Sequence, residues 1–350
     1  FIISKAMAAE NRNVSSSTTP VGVRRRYGGN RITEIMRKRT VSKLISRGAD
    51  ALICIFLLLL AWVVVQVVFV AWFTIPSDSM TPTVQPGDRI AVNKLVAGGR
   101  IFNMYRPLRR ERFSVYRLPG FGKLRRDDAI VFNFPHRHDW DSVGMDMNIY
   151  YLKRLVALPG DTVEIRNGMT YVREWSENPS DPGAGAGRMA HGYIPGQRRM
   201  MEMISRYART EPDTLKWPIV MRAFPNDSAV NWTVSEFGPL FIPGKGMTIP
   251  LTARNALIYG RYIEYETGEK LRQHNSGTYF INGIGKVSEY TFRENYYFTQ
   301  GDNSSDSRDS RYWGLLPEHC IVGKAAIIWD SKSKTTGKRR WERIGRNLAL

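Results

Sequence analysis

The sequence predicts a mainly β chain behind one N-terminal transmembrane helix. Three observations carry that prediction. Ala51 to Phe73 is a 23-residue apolar run with one polar side chain, Gln66, and no charge. Beyond Thr74, short runs rich in β-branched and aromatic residues alternate with Gly/Pro turns. The two cysteines, Cys54 in the run and Cys320 far beyond it, cannot staple the later part, so that part must hold together by its core.

Residues 1–50 form a basic N-terminal segment, with eleven Lys/Arg against three acids, which is +8 of the chain's formal +19. Basic charge beside a span is a topology signal that places this segment in the cytoplasm. No zinc-finger spacing, RNP-like motif or helix-turn-helix accompanies it, so no nucleic-acid partner is expected. Ile32 to Arg47 reads either as a basic amphipathic helix along the membrane or as a short solvated helix leading into the span. As a helix, residues 51–73 reach roughly 34 Å, enough to cross a bilayer. Trp72 suits the interface at the exit, and Trp72-Phe73-Thr74-Ile75 is too bulky for the end of a cleavable leader. The run is therefore an anchor, with everything after it outside.

The strand-like stretches include Arg89-Ile90-Ala91-Val92-Asn93, Ala129-Ile130-Val131-Phe132-Asn133 and Thr162-Val163-Glu164-Ile165. Pro-Gly-Asp recurs at residues 86–88 and 159–161, each time as a turn leading into a strand. Residues 74–165 read as the first part of an outer core and 301–330 as its last part. Between them, 166–300 reads as an inserted or accessory region, with a loop composition over 175–187. A basic tail, 331–350, carries Trp341 and is either a solvated terminus or a membrane contact. His136-Arg137-His138-Asp139 matches no zinc signature and is read as a polar loop, so no metal and no cofactor are expected. The basic stretch from Arg100 to Arg126, which includes Arg106, Arg109, Arg110 and Arg112, would face solvent or anionic head groups.

Two short motifs carry chemistry. Ile75-Pro76-Ser77-Asp78-Ser79-Met80-Thr81-Pro82 begins where the apolar run ends, and Tyr151-Leu152-Lys153-Arg154-Leu155-Val156 holds a lysine in a strand. A serine hydroxyl needs a base, and a lysine serves only when desolvation or a cationic neighbour makes it neutral near pH 7. Strand alternation puts Tyr151, Lys153 and Leu155 on one face and turns Arg154 the other way.

These motifs resemble the boxes of bacterial type I signal peptidases (leader peptidases). Residues 75–83 resemble the nucleophile box, and Arg126-Asp127-Asp128-Ala129-Ile130-Val131-Phe132 is similar to the structural box. Residues 151–161 resemble the lysine box, and Gly301-Asp302-Asn303-Ser304-Ser305-Asp306-Ser307-Arg308-Asp309-Ser310-Arg311 resembles the final one. The resemblance implies strongly coiled antiparallel sheets as the catalytic core and a Ser-Lys dyad that cuts signal peptides from secreted precursors after small residues. It implies Ser79 as nucleophile, Lys153 as base, and Ser77 with the Ser79 N–H as oxyanion donors. Ser307 would orient the lysine, and Asp309 with Arg311 would hold the final box. Ile75, Pro76, Met80, Tyr151 and Leu152 would line small-residue pockets. The implied partners are signal peptides and membrane lipid, with the secretion translocon as a candidate, at the outer face of the cytoplasmic membrane. Asp78 and Asp127 depart from the pattern, since many members have Gly there, and Asp78 is expected to point away from the lysine. Two other readings are a self-cleaving Ser-Lys repressor-type protease, which the span opposes, and an inert membrane-anchored β module, which the lysine and final boxes oppose.

Overall fold

The computed structural model describes residues 29–102, 115–137, 141–174, 188–189, 223–274 and 277–348. The 175–187 loop, the first 28 residues, Arg106, Arg109, Arg110, Arg112, His138 and Asp139 lie outside them. The chain divides into two compact units, residues 1–61 and 62–350.

In the first unit the described residues belong to a helix, α1, which runs without a break over Gly29–Val68. Its Met36–Val68 stretch is long and apolar enough to cross a membrane. Leu52, Phe56, Leu58 and Trp62 stand exposed along it, which in water would be unfavourable and in lipid is not. The expected span needs correction at its far end, since the helix stops at Val68, short of Phe73. At its near end one helix runs from the Ile32–Arg47 stretch straight into the span, as the reading of a helix leading into the span has it. Val70–Thr74 is a strand whose residues pair in order with Asn93 through Arg89. The β-branched and aromatic residues that read as the end of an apolar helix fit a half-buried ladder equally well. A partner strand decided between the two.

The second unit is built on a curled seven-stranded antiparallel sheet. Its strands are β1 (Val70–Thr74), β2 (Asp88–Asn93), β3 (Ala129–Asn133), β4 (Tyr150–Ala157), β5 (Tyr296–Gln300), β6 (Leu316–Pro317) and β7 (Ile321–Ser331), in the spatial order β1-β2-β7-β3-β4-β5-β6. The 11-residue β7 pairs with β3 near its start and with β2 along the rest, and register shifts interrupt both ladders. Such bulges raise local twist, which is how one strand bends round to serve two neighbours. A second, four-stranded sheet joins Thr162–Arg166, Met169–Arg173 and Arg188–Met189 to Phe237–Phe241. Helix α2 (Ala253–Thr267) is capped by the Thr252 side chain at its start and by Gly268, at φ 81°, at its end.

Three turns share one design. In Gln85-Pro86-Gly87-Asp88 and Leu158-Pro159-Gly160-Asp161, the glycines take φ of 90° and 95°. The aspartate closes each turn by accepting the N–H three residues back, at 2.8 Å from Gln85 and 2.8 Å from Leu158. Arg125-Arg126-Asp127-Asp128 repeats the geometry: Asp128 accepts from Arg125 N at 2.9 Å, and Asp127 has φ 68°. Asp127 thus occupies a left-handed position that favours glycine and that Asp tolerates better than most side chains. Each closing aspartate is also met by a cation, Asp161 by Arg126 and Asp128 by Lys324. Asp88 is met by Arg340 and Arg343.

Candidate active site

Loop 75–88 leaves β1, and its backbone is tied at both ends, with Ile75 N donating to Asp88 O and Gly87 N to Ile75 O, each at 2.9 Å. Ile75, Met80 and Val84 anchor it in an apolar cluster with Ile90, Val131 and Leu152. The polar residues between those anchors are left at the rim: Ser77 and Asp78 are exposed and Ser79 half-buried. Lys153 comes from the middle of β4, opposite Ile130 of β3.

These elements bring Lys153 Nζ to 2.7 Å from Ser79 Oγ. Lys153 is 3 % exposed. Burial lowers its pKa from the usual 10.5 to about 8; Asp309 opposes that shift, Arg311 adds to it, and Asp302 and Asp306 oppose it. The ammonium also stands 5.7 Å from the centre of the Tyr151 ring. Ser77 Oγ lies 3.4 Å from Ser79 Oγ. Asp78 is exposed, and the carboxylates that act on Lys153 are Asp309, Asp302 and Asp306.

The final box closes over this pair. Asn303 N donates to Ser79 O at 3.0 Å, tying the box to the backbone of Ser79 itself. Asp309 and Arg311 form a fully buried fork, with Nε to Oδ1 at 2.8 Å and a second N–H to Oδ2 at 2.8 Å. Asp309 also accepts from Gly301 N at 3.0 Å and caps the short helix α3 (Ser310–Trp313), while Arg311 reaches Ser304 O at 2.9 Å. The box is thus folded around one ion pair.

Ser307 departs from expectation. Its hydroxyl is buried and hydrogen-bonds neither Lys153 nor any other described group. It packs against Gly301, where a Cβ would overlap both Ser307 Oγ and the Ser79 carbonyl oxygen. Gly301 is therefore a close-approach position that its place in the box did not by itself explain.

Arg154 does turn away from Lys153, but not to solvent. It is 4 % exposed and grips Asp302 with two N–H donors at 2.6 Å each. Since Asp302 belongs to the final box, this pair fixes the box to β4 beside the lysine. Sequence reasoning missed it because the partners are 148 positions apart.

The dyad opens on a cleft of about 540 Å3 lined by Ile75, Pro76, Met80, Tyr151 and Leu152, with Asp306 and Arg308 at its margin. A larger cleft, about 680 Å3, is lined by Arg261, Glu264, Tyr265, Glu294 and His319. Its size does not make it the reactive site, because its central groups engage one another: His319 Nδ1 pairs with Glu294 at 2.8 Å and Nε2 with the Tyr265 hydroxyl at 3.0 Å. His136 is no ligand either. It is buried, with its ring nitrogens 2.7 Å from Ser142 O and 3.0 Å from Trp313 O, and it fastens a loop.

The chain is 26 % identical over 277 residues to signal peptidase I of Aquifex aeolicus, covering 79 % of this chain and 82 % of that one. It is 26 % identical over 285 residues to signal peptidase I of Pseudomonas aeruginosa, covering 78 % and 70 %. To signal peptidase I of Buchnera aphidicola subsp. Baizongia pistaciae it is 24 % identical over 277 residues, covering 78 % and 75 %. The family described as signal peptidase, peptidase S26, matches residues 49–182 and 237–330, which include the dyad, the cleft and the final box. The chain belongs to that family.

Proposed function

We propose that the protein removes signal peptides from secretory precursors through a Ser79–Lys153 dyad, cutting after small residues. The observation that carries this reading is the 2.7 Å contact between Ser79 Oγ and a lysine that is 3 % exposed. A lysine with a pKa near 8 is neutral in a useful fraction of molecules at physiological pH, unlike one near 10.5. Neutral Lys153 takes the Ser79 proton as Oγ attacks the scissile carbonyl. The Ser77 hydroxyl and Ser79 N–H stabilise the oxyanion. The resulting ammonium gives its proton to the leaving amine, and the neutral lysine then activates water against the ester. Ile75, Met80 and Leu152 fill the floor of the cleft, which favours Ala-X-Ala sites. Arg154–Asp302 and Asp309–Arg311 hold the box that supplies Lys153 with its charged surroundings.

The basic segment, residues 1–50, holds the N-terminus in the cytoplasm and delivers Ser79 to the outer face of the inner membrane, where the translocon releases precursors. Lipid also meets the β1–β2–β7 face. There exposed Trp72 stacks edge-on against exposed Trp329 with centroids 5.3 Å apart and Arg89 lies over Trp329, while in the segment after β7 Arg339 lies over exposed Trp341. Amphipathic rings beside guanidinium groups suit an anionic interface.

The test is incubation of detergent-solubilised protein with a precursor carrying an Ala-X-Ala site, the cut being mapped by mass spectrometry. Cleavage after the second Ala by the wild type and none by Ser79→Ala is expected. A cut elsewhere, or one that survives in Ser79→Ala, would refute the reading.

A further inference from the structure

Residues 332–348 follow the last family-matched position, 330, yet they return to the loop that carries Ser79. Lys332 N donates to Gly87 O at 3.1 Å, and a Cβ at Gly87 would collide with the Lys332 carbonyl. Lys334 Nζ donates to Pro76 O at 2.9 Å, one residue before Ser77. Arg340 spreads across the far end of the loop, reaching Gln85 Oε1 at 2.8 Å, Pro86 O at 2.9 Å and Asp88 Oδ1 at 3.0 Å. Arg343, 5 % exposed, donates to Thr83 O at 2.9 Å and grips Asp88 Oδ2 at 2.7 Å. Leu348 ends the segment inside the apolar cluster that holds Ile75, Met80 and Leu152.

We propose that residues 332–348 are a strap that positions the nucleophile: Arg343, through Asp88 and the Thr83 carbonyl, and Lys334, through the Pro76 carbonyl, hold the Ser79 loop at its reactive distance from Lys153. The inference rests on the dyad reading above. Asp88 is fully buried and closes the turn at the end of the loop. Of the three aspartate turns, it alone takes its cations from this segment. The seven hydrogen bonds just named all run from the strap to the loop, and none reaches the Asp302 or Asp309 carboxylates beside the lysine. The strap therefore acts on one member of the dyad and leaves the other in place. A displacement of about 1 Å in a reacting group can cost on the order of 10²-fold in rate.

The experiment measures kcat, KM and the pH profile of precursor cleavage, with thermal melts, for the full chain and for Arg343→Ala, Arg343→Lys, Lys334→Ala and Ser79→Ala. Arg343→Ala should lose about 10- to 100-fold in kcat with KM changed less than about threefold. Its acidic limb should stay at the wild-type pH, because Lys153 keeps its surroundings, and added methylguanidine should restore part of the rate. Arg343→Lys should fall between, since an ammonium keeps the charge but not the fork. Lys334 is exposed, so Lys334→Ala should melt with the wild type and still lose severalfold in kcat, which keeps the test decisive if Arg343→Ala does not fold. Wild-type kcat per folded molecule in both alanine variants would overturn the proposal, as would a limb that moves in Arg343→Ala. Turnover by Ser79→Ala would instead overturn the dyad reading beneath it.

Discussion

On the proposed dyad mechanism, Ser79, Lys153, Ser77 and Gly301 serve the reaction in different ways, and each role predicts a different failure. Ser79→Ala and Lys153→Ala should each abolish cleavage without unfolding the chain, because nucleophile and base act as a unit. Lys153→Arg should fail as well, since a guanidinium does not deprotonate. Ser77→Ala should lower kcat by on the order of 10²–10³ with little change in KM, the usual loss for one oxyanion donor. Gly301→Ala should cut kcat sharply, because the new methyl would displace the Ser79 carbonyl, and single-turnover cleavage measures it. Legibility at this scale followed sequence distance. Ser77, Ser79 and Lys153 stand in compact motifs whose residue types state their chemistry. The Arg154–Asp302 and Arg343–Asp88 pairs, separated by 148 and 255 positions, have no local pattern to betray them. Ser307 was legible as a member of the box, but its contact was not, because a hydroxyl's partner depends on a fraction of an ångström of backbone placement.

At the scale of elements, the end of α1 is the instructive case. Val, Phe and Trp satisfy both a lipid-facing helix and a half-buried strand, so Val70–Thr74 could not be assigned without sight of β2. The assignment changes how the chain escapes its own chemistry. A protease needs an extended substrate with a free backbone, whereas β1 has its backbone committed to β2 over five residue pairs. Replacing Trp72 and Thr74 with Ala, which creates an Ala-Phe-Ala sequence, should therefore leave the protein uncut, as read by intact mass after prolonged incubation. A cut there would return bulk as the protecting feature. The recurring Pro-Gly-Asp was legible as a turn signal. Its third copy was hidden because Asp127 replaces the glycine, and Asp127→Gly should keep full activity and a melting temperature at least equal to wild type.

Across the whole molecule, buried carboxylates set the acid limit of stability. Burial alone would raise the pKa values of Asp88 and Asp309. Arg343 and other hydrogen bonds for the first, and Arg311 for the second, more than reverse this and hold both below the usual 3.8. A depressed pKa contributes stability that is present above the unfolded value and lost as pH falls through the folded one. The melting temperature should thus drop below about pH 4, as these carboxylates take up protons. Asp88→Asn should melt lower at neutral pH and lose less on acidification. A wild-type melting temperature that fell equally at pH 6 would assign the acid limit to other groups.

One property links the scales: the curled sheet buries Lys153 beside Ser79, burial lowers its pKa to about 8, and on the proposed mechanism that pKa suits it to act as the base. The pH dependence of kcat/KM for precursor cleavage tests that chain of causes most directly, since its acidic limb reports the essential base of the free enzyme. A single limb near pH 8, with activity rising to the alkaline side, is the predicted result. A limb near about 6.5, where an unperturbed histidine titrates, would contradict it and remove Lys153 from the reaction.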